Sequence, residues 1–477
     1  MPAKLKAQAG LTSYPTTLSL FDSITLVAGS MIGSGIFIVS ADIARNVRTP
    51  ALLITVWIVS GAMTLAGALA CGELAAMMPQ TGGQYVYLRE AYGGMSAFLF
   101  GWTFFLAIQT GTIAAVAVAF VRFTAILVPG FSSTLWFGSH GVGISPERAG
   151  AIAIIAVLTA ANIRGLNTGR FVQNLFTSAK VASLLFIVTA CLLIAPNRSA
   201  LAVNFGGAAA FWGEAPLIGL AGFGAAMVGG LFSSDAWASV TFTASELRNP
   251  ERDLPRSLAI GTGLVVFLYI LTNTAYLAQL PLLGDHAAAG VFGRGISAAY
   301  ADRVASAALQ MVWGKWGAAI TAALVMISAF GCVNGLILSG ARVLRAMALD
   351  RLFFARANAL NGASVPAAAL VMQATWAVLL ALSGSYSDLL DYVIFVQLIF
   401  YVITVLAVFV LRVKWPRRER PYRAWGYPYL PAAYIAAATV LMVDLLIVRT
   451  KSSGFGLLIV ASGVPVYLLR KRSRAEC

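Results

Sequence analysis

The sequence predicts an all-α polytopic membrane protein with 12 transmembrane helices: a 5+5 pair of inverted halves followed by two peripheral spans. Three observations carry this expectation. Of the 477 residues, 59% are hydrophobic and only 11% charged, against about 25% charged in an ordinary soluble domain. The apolar residues form continuous runs with the charge clustered between them, whereas a transmembrane β-barrel would alternate over short segments. Two of the runs, about 200 residues apart, are interrupted at their centres by glycine and serine.

Twelve apolar runs are expected, at roughly 18–44, 51–78, 95–128, 149–164, 172–195, 215–246, 255–280, 314–347, 364–383, 388–411, 430–448 and 453–470. A bilayer crossing needs about 20 apolar residues, so the longer runs must tilt, break or extend into water. Residues 1–17 are polar, and no short apolar core with a small-residue cleavage site follows them, so the first span is expected to stay in the protein. Of the 33 lysines and arginines, 22 fall in loops that lie inside if the N-terminus is cytoplasmic, and nine fall outside. The positive-inside bias then puts both termini in the cytoplasm and accounts for the net charge of +15 without a nucleic-acid partner. The remaining two, Arg122 and Lys180, lie within apolar runs. The expected division is a cytoplasmic tail at 1–17, a first repeat at 18–195, a second at 215–411, peripheral spans at 430–470 and a C-terminal tail at 471–477.

Run 1 contains Gly29-Ser30-Met31-Ile32-Gly33-Ser34-Gly35-Ile36-Phe37. Each glycine weakens a helix interior by roughly 1 kcal/mol relative to alanine. In lipid, open backbone is tolerated only where it is buried in protein or lines a cavity. Such a stretch is either a broken span facing a site or a close helix-packing face. Run 2 ends at Met78-Pro79, and Gly82-Gly83 followed by aromatic residues suits a short interfacial helix. Run 5 carries Lys180. A lysine at a helix centre costs about 3 kcal/mol on insertion scales, so it either has a task or snorkels to the surface. The tasks are an ammonium placed where other transporters hold sodium, or a proton carrier. Run 6 contains Gly229-Gly230-Leu231-Phe232-Ser233-Ser234-Asp235-Ala236-Trp237, a second break. Corresponding broken segments in two halves point to an inverted-repeat transporter with its site at the breaks. The stretch from Leu282 to Val312 reads as a re-entrant lid or a surface loop.

A broken helix offers amide donors at one stub and carbonyl acceptors at the other. A free α-amino acid needs both. The donors are expected around Gly33, Ser34 and Gly35. Carbonyls near Ser30, Met31, Phe232, Ser233 and Asp235 are expected to hold the ammonium. Phe232 is either a gate over the substrate or one of 27 phenylalanines in the core. Asp235 either attracts a cation or proton or, as the favoured reading, caps the following half-helix. Trp237 supports the second break by packing. Glu246 belongs to a cytoplasmic charge network, and Glu73, Gln109 and Asn334 are packing or hydrogen-bonding groups. Run 1 has no carboxylate in its break, which argues against sodium coupling. No phosphate-binding loop of the GxxxxGK[ST] type is present, the two histidines, His140 and His286, have no ligand cluster, and the four cysteines show no metal or disulfide spacing. No cofactor, metal or enzymatic activity is expected.

At these motifs the chain resembles the amino acid–polyamine–organocation superfamily, and within it the bacterial L-type amino-acid transporters. The first-span motif at Gly29 to Phe37, the sixth-span motif at Gly230 to Trp237, Glu246 with Asn249-Pro250, Arg252 and Pro255, the fifth-span Lys180 and the eighth-span Gly331-Cys332-Val333-Asn334-Gly335 carry the resemblance. It implies a LeuT-like fold with alternating access, Phe232 as the gating aromatic and a functional tyrosine in span 7, matched first to Tyr269 and second to Tyr276. The segment from Leu127 to Gly150 lacks the cysteine that bonds a heavy chain in animal members, so no heavy-chain subunit is expected. The resulting expectation is sodium-independent exchange of small neutral L-amino acids across the inner membrane. A proton-coupled symporter using Lys180 is the mechanistic alternative, and a transporter-fold sensor is the alternative of another class.

Overall fold

A computed structural model describes residues 18–139, 142–164, 169–213, 222–362, 365–383 and 386–475. The expected N-terminal tail, the first residues of run 6 and His140 lie outside the described residues. Run 1 folds in three pieces, α1 (Leu20–Met31), α2 (Gly35–Ile38) and α3 (Ser40–Val47). A capping box starts it: the Ser19 hydroxyl accepts the Asp22 amide at 3.3 Å, and the Asp22 carboxylate accepts the Ser19 amide at 2.8 Å. Run 2 is α4 (Pro50–Met77), opened by a Thr49 cap and Pro50. In the turn that follows, Gly82 and Gly83 have φ of +110° and +46°. A Cβ at Gly83 would lie 2.9 Å from the Thr241 Cβ, so both backbone and space demand glycine there.

The expected short helix forms as α5 (Gln84–Tyr92). Tyr85 and Tyr87 are fully buried. The Tyr85 hydroxyl donates to Asp350 and Gln84 donates to Thr404, both at 2.8 Å. The helix is pinned inside the bundle because its aromatic face finds polar partners there.

Run 3 is α6 (Gly94–Thr103) and α7 (Gln109–Leu127), joined by a π-helical turn at Phe104–Ile108. A hairpin of β1 (Phe137–Ser139) and β2 (Val142–Ile144) leads to α8 (Pro146–Ile163). Run 5 is α9 (Gly169–Thr189). After the short α10 (Arg198–Phe205) and α11 (Ala208–Trp212), run 6 is α12 (Phe223–Ser233) and a single helical turn, α13 (Ser239–Phe242). Run 7 is α14 (Pro250–Gln279).

The next connection contains α15 (Val291–Arg294) and is an ordered cover. Arg45 of α3 donates to the Ser297 carbonyl at 2.9 Å and to Asp302 at 2.8 Å. Run 8, α16 (Val304–Leu349), starts ten residues before the expected position, with a kink at Trp313–Gly314 marking the junction. The last helices are α17 (Ala367–Ser383), α18 (Tyr386–Lys414), α19 (Tyr429–Val448) and α20 (Thr450–Ala475).

Among the described residues nine helical segments are long and apolar enough to cross a bilayer, and three shorter apolar helices accompany them at Leu20–Met31, Phe223–Ser233 and Ala367–Leu382. Two of the short ones are the halves of the interrupted runs. The protein is an all-α, multi-pass membrane protein. Only 28% and 17% of the apolar windows of α19 and α20 are buried, against 83% for Gly94–Leu127, so the last two helices lie at the rim. In the interior, α1 packs on α9, α14 and α16, while α12 packs on α3, α4 and α18.

Candidate functional site

The break between α1 and α2 leaves carbonyls that no helical amide can reach. A buried carbonyl without a donor costs about 1–3 kcal/mol, so each needs a partner. Side chains from three other helices supply them. Lys180 of α9 donates its Nζ proton to the Gly29 carbonyl at 2.6 Å. Cys332 of α16 donates through sulfur to Ser30 at 3.6 Å. Ser328, one turn earlier, donates to Ile32 at 3.2 Å. Tyr269 of α14 donates to Met31 at 2.9 Å, and its hydroxyl also lies 3.1 Å from the Ser233 carbonyl at the end of α12. One phenolic oxygen therefore sits between the two breaks. Its ring packs edge-on against Trp57 at 5.5 Å. Tyr276, the second choice, reaches Ile36 at 3.3 Å and touches only the first break.

Lys180 is 1% exposed. It does not snorkel, because α9 is fastened to α1 at successive turns. Asn174 donates to Asp22 at 2.7 Å, Thr177 donates to the Thr25 carbonyl at 3.0 Å, and Lys180 follows. Among the described residues no carboxylate pairs with it.

The donor side of the break has a different character. Ser34 is fully buried, and its Oγ has no hydrogen-bond partner among the described residues. The amides of Ser34, Gly35 and Ile36 likewise have no acceptor among the described residues. Gly35 faces Ser233 across the break. A Cβ there would stand 3.0 Å from the Ser233 Cβ and 3.1 Å from its Cα, so the two breaks touch backbone to backbone. The arrangement combines unpaired amides and a hydroxyl, suited to a carboxylate, with carbonyls held by a single hydroxyl and suited to an ammonium.

Phe232 is buried in the last turn of α12, with its carbonyl accepting the Asp235 amide at 3.2 Å. Ser233 Oγ donates back to Gly229 at 2.9 Å. Asp235 does not cap the next helical turn, since Ala238 occupies the N-cap of α13 without a side-chain bond. Its carboxylate accepts the Tyr401 hydroxyl of α18 at 2.6 Å, and Tyr401 stacks on Trp237 at 4.8 Å. The Asp235 side chain thus meets α18 at Tyr401, and Trp237 packs on the same ring. Ala236, at φ +65°, takes the strained left-handed backbone that this turn requires.

Latches close the bundle above and below. Glu246 pairs with Arg342 through two bonds of 2.8 and 3.3 Å. Thr81 bonds Ser245, and Leu18 exchanges main-chain bonds with Glu246 and Arg248. At the other end stands the Arg45–Asp302 pair. Glu73, 1% exposed, is more than a packing group: it accepts from Arg412, Arg420 and the Ala424 amide, tying α4 to the connection after α18. Sequence reasoning missed Ser328 and Cys332 as donors to the break. Their spacing of four places them on one helix face, and Cys332 lies within the eighth-span motif, but neither signal names the carbonyls they reach.

Comparison with known proteins places these features. The family model described as amino acid permease matches residues 18–463. The chain is 31% identical to the serine/threonine exchanger SteT of Bacillus subtilis over 96% of its own length and 98% of the relative's. It is 27% identical to the human Asc-type amino acid transporter 1, covering 96% and 83% of the two chains. With the human b(0,+)-type amino acid transporter 1 it shares 29% identity over 86% and 79%.

Proposed function

Because the chain belongs to the amino acid permease family, we propose that it exchanges small neutral L-amino acids across the bacterial inner membrane by sodium-independent alternating access. The chain is a transporter and not an enzyme. The observation that carries the finer reading is the Tyr269 hydroxyl lying between the carbonyls of Met31 and Ser233, beside the unpaired donors of Ser34, Gly35 and Ile36. In this reading the substrate carboxylate takes the amides and the Ser34 hydroxyl. Its ammonium takes the carbonyls of Ser30, Met31 and Ser233, in competition with Tyr269. Phe232, next to Ser233, is the gate.

Lys180 supplies a fixed positive charge to the end of α1, in place of a bound cation. That no carboxylate among the described residues pairs with Lys180, whose Nζ is held by the Gly29 carbonyl, supports a positional role over proton relay. Twelve spans in a LeuT-like 5+5 arrangement, with α19 and α20 outside it and both termini in the cytoplasm, complete the proposal. The chain is expected to work without a heavy-chain subunit. The relative named as a serine/threonine exchanger supports small polar or neutral substrates, and so does a break whose side chains are small and uncharged on the Gly35–Ser233 face.

The test is equilibrium binding of labelled L-alanine to the purified protein. L-serine and L-threonine should compete and L-lysine should not. Ser34→Ala, which removes one unpaired donor to a charged group, should weaken binding about tenfold. Competition by lysine but not by serine or threonine would overturn the assignment.

A further inference from the structure

A cavity that shares no lining residue with the two breaks lies where the connection between α14 and α16 meets the end of α7. Its volume is about 210 Å³, several times the ~30 Å³ that a water molecule occupies in the liquid. Arg294, Tyr300, Arg303, Ser306 and Gln310 line it. Both guanidinium groups stand over the one Tyr300 ring, Arg294 at 5.9 Å and Arg303 at 5.7 Å from its centroid.

Two cations on the lining of one cavity favour an anion beside them, and among the described residues no carboxylate forms an ion pair with either. The carboxylates nearby are engaged elsewhere, Glu147 with Arg122 at 3.1 Å and Asp302 with Arg45 at 2.8 Å. Arg294 spends only its Nε, on the Ala288 carbonyl at 2.9 Å. The Nε of Arg303 and the Oγ of Ser306 are buried with no partner among the described residues, and Ser306 is only 5% exposed. Burial, and after it the charge of Arg122, holds the Arg303 guanidinium below its ordinary value against the opposing pulls of Tyr300 and Glu147. Buried donors left unpaired cost stability, and here they line one cavity.

We propose that Arg294, Arg303 and Ser306 form a binding site for a phosphate-type oxyanion. Guanidinium groups bind such anions through paired, charge-assisted hydrogen bonds, and the Ser306 hydroxyl supplies a further donor. Ile126 and Val291 add apolar side chains to the lining. Tyr300, part of the lining, is 70% exposed, as aromatic residues are at the membrane–water boundary. The source of the phosphate group is therefore either a phospholipid headgroup or the free ion.

The test is thermal unfolding of the purified full-length protein in detergent. It is followed with inorganic phosphate, with phosphatidylglycerol, and with phosphatidylcholine and chloride of equal ionic strength as controls. A rise in midpoint with phosphatidylglycerol alone assigns a lipid headgroup, and a rise with both probes assigns a site open to the free ion. Either supports the proposal if Arg303→Gln and Arg294→Gln raise the half-effective concentration at least about tenfold, while Arg417→Gln, on the connection after α18, leaves it unchanged. Ser306→Ala, a small truncation, should weaken the effect in the same direction and decides the matter should an arginine variant fail to fold. No rise above the controls, or a rise retained in the Ser306 and arginine variants, overturns it.

Discussion

Replacing Tyr269 by phenylalanine removes one oxygen from the centre of the protein and little else. The ring keeps its edge contact with Trp57. The Met31 carbonyl keeps a donor, the Gly33 amide at 2.8 Å. The Ser233 carbonyl, fully enclosed in the bundle, loses the hydroxyl at 3.1 Å. One buried carbonyl left without a donor costs about 1–3 kcal/mol. Because the hydroxyl touches both breaks, that penalty falls on the state in which they are drawn together. A shift of this size changes a two-state ratio by about 5- to 150-fold. Tyr269→Phe should therefore lower the thermal midpoint of the purified protein and slow amino-acid exchange in proteoliposomes by a factor in that range at saturating substrate. Wild-type stability together with a wild-type exchange rate would refute the bridging role of Tyr269.

Three further substitutions probe the same frame. Gly35→Ala places a methyl 3.0 Å from the Ser233 Cβ, so exchange should fall to background, and the double variant with Ser233→Gly should recover part of it. Glu73→Gln removes the charge that Arg412 and Arg420 share in a buried setting. Breaking a buried pair costs about 3–5 kcal/mol, and the yield of monodisperse protein on size exclusion should drop sharply. Lys180→Ala takes the donor from the Gly29 carbonyl and should abolish exchange at every pH; retained exchange with a flattened pH profile would instead make Lys180 a proton carrier.

The broken helices were legible because they violate local physics. Glycine and serine at Gly29 to Gly35 and at Gly229 to Ser234 sit where an apolar run should be strongest, and both helices end there, α1 at Met31 and α12 at Ser233. Lys180 was legible for the same reason, a charge where charge is costly. What closes the breaks was not. Ser328 looks like an ordinary small residue of an apolar helix, Cys332 stands out only as part of a motif, and their acceptors lie about 300 positions away in the chain. Asp235 read as a cap because a local partner is the simplest one for an aspartate, yet its partner Tyr401 is 166 residues distant. Such pairings are set by helix packing, which no local pattern records. The contacts that bury the aromatic side of α5 and that hold the connection before α16 were not legible either: Asp350, Thr404 and Arg45 supply them from elsewhere in the chain.

The measurement that bears most directly on the central claim is counterflow. Liposomes containing the purified protein are loaded with unlabelled L-alanine, and uptake of labelled L-alanine is followed, with empty liposomes and an imposed proton gradient as controls. Exchange predicts uptake that requires internal amino acid, is independent of sodium, and proceeds with or without the gradient. Uptake into empty liposomes only when the proton gradient is present would contradict the exchanger and establish proton symport.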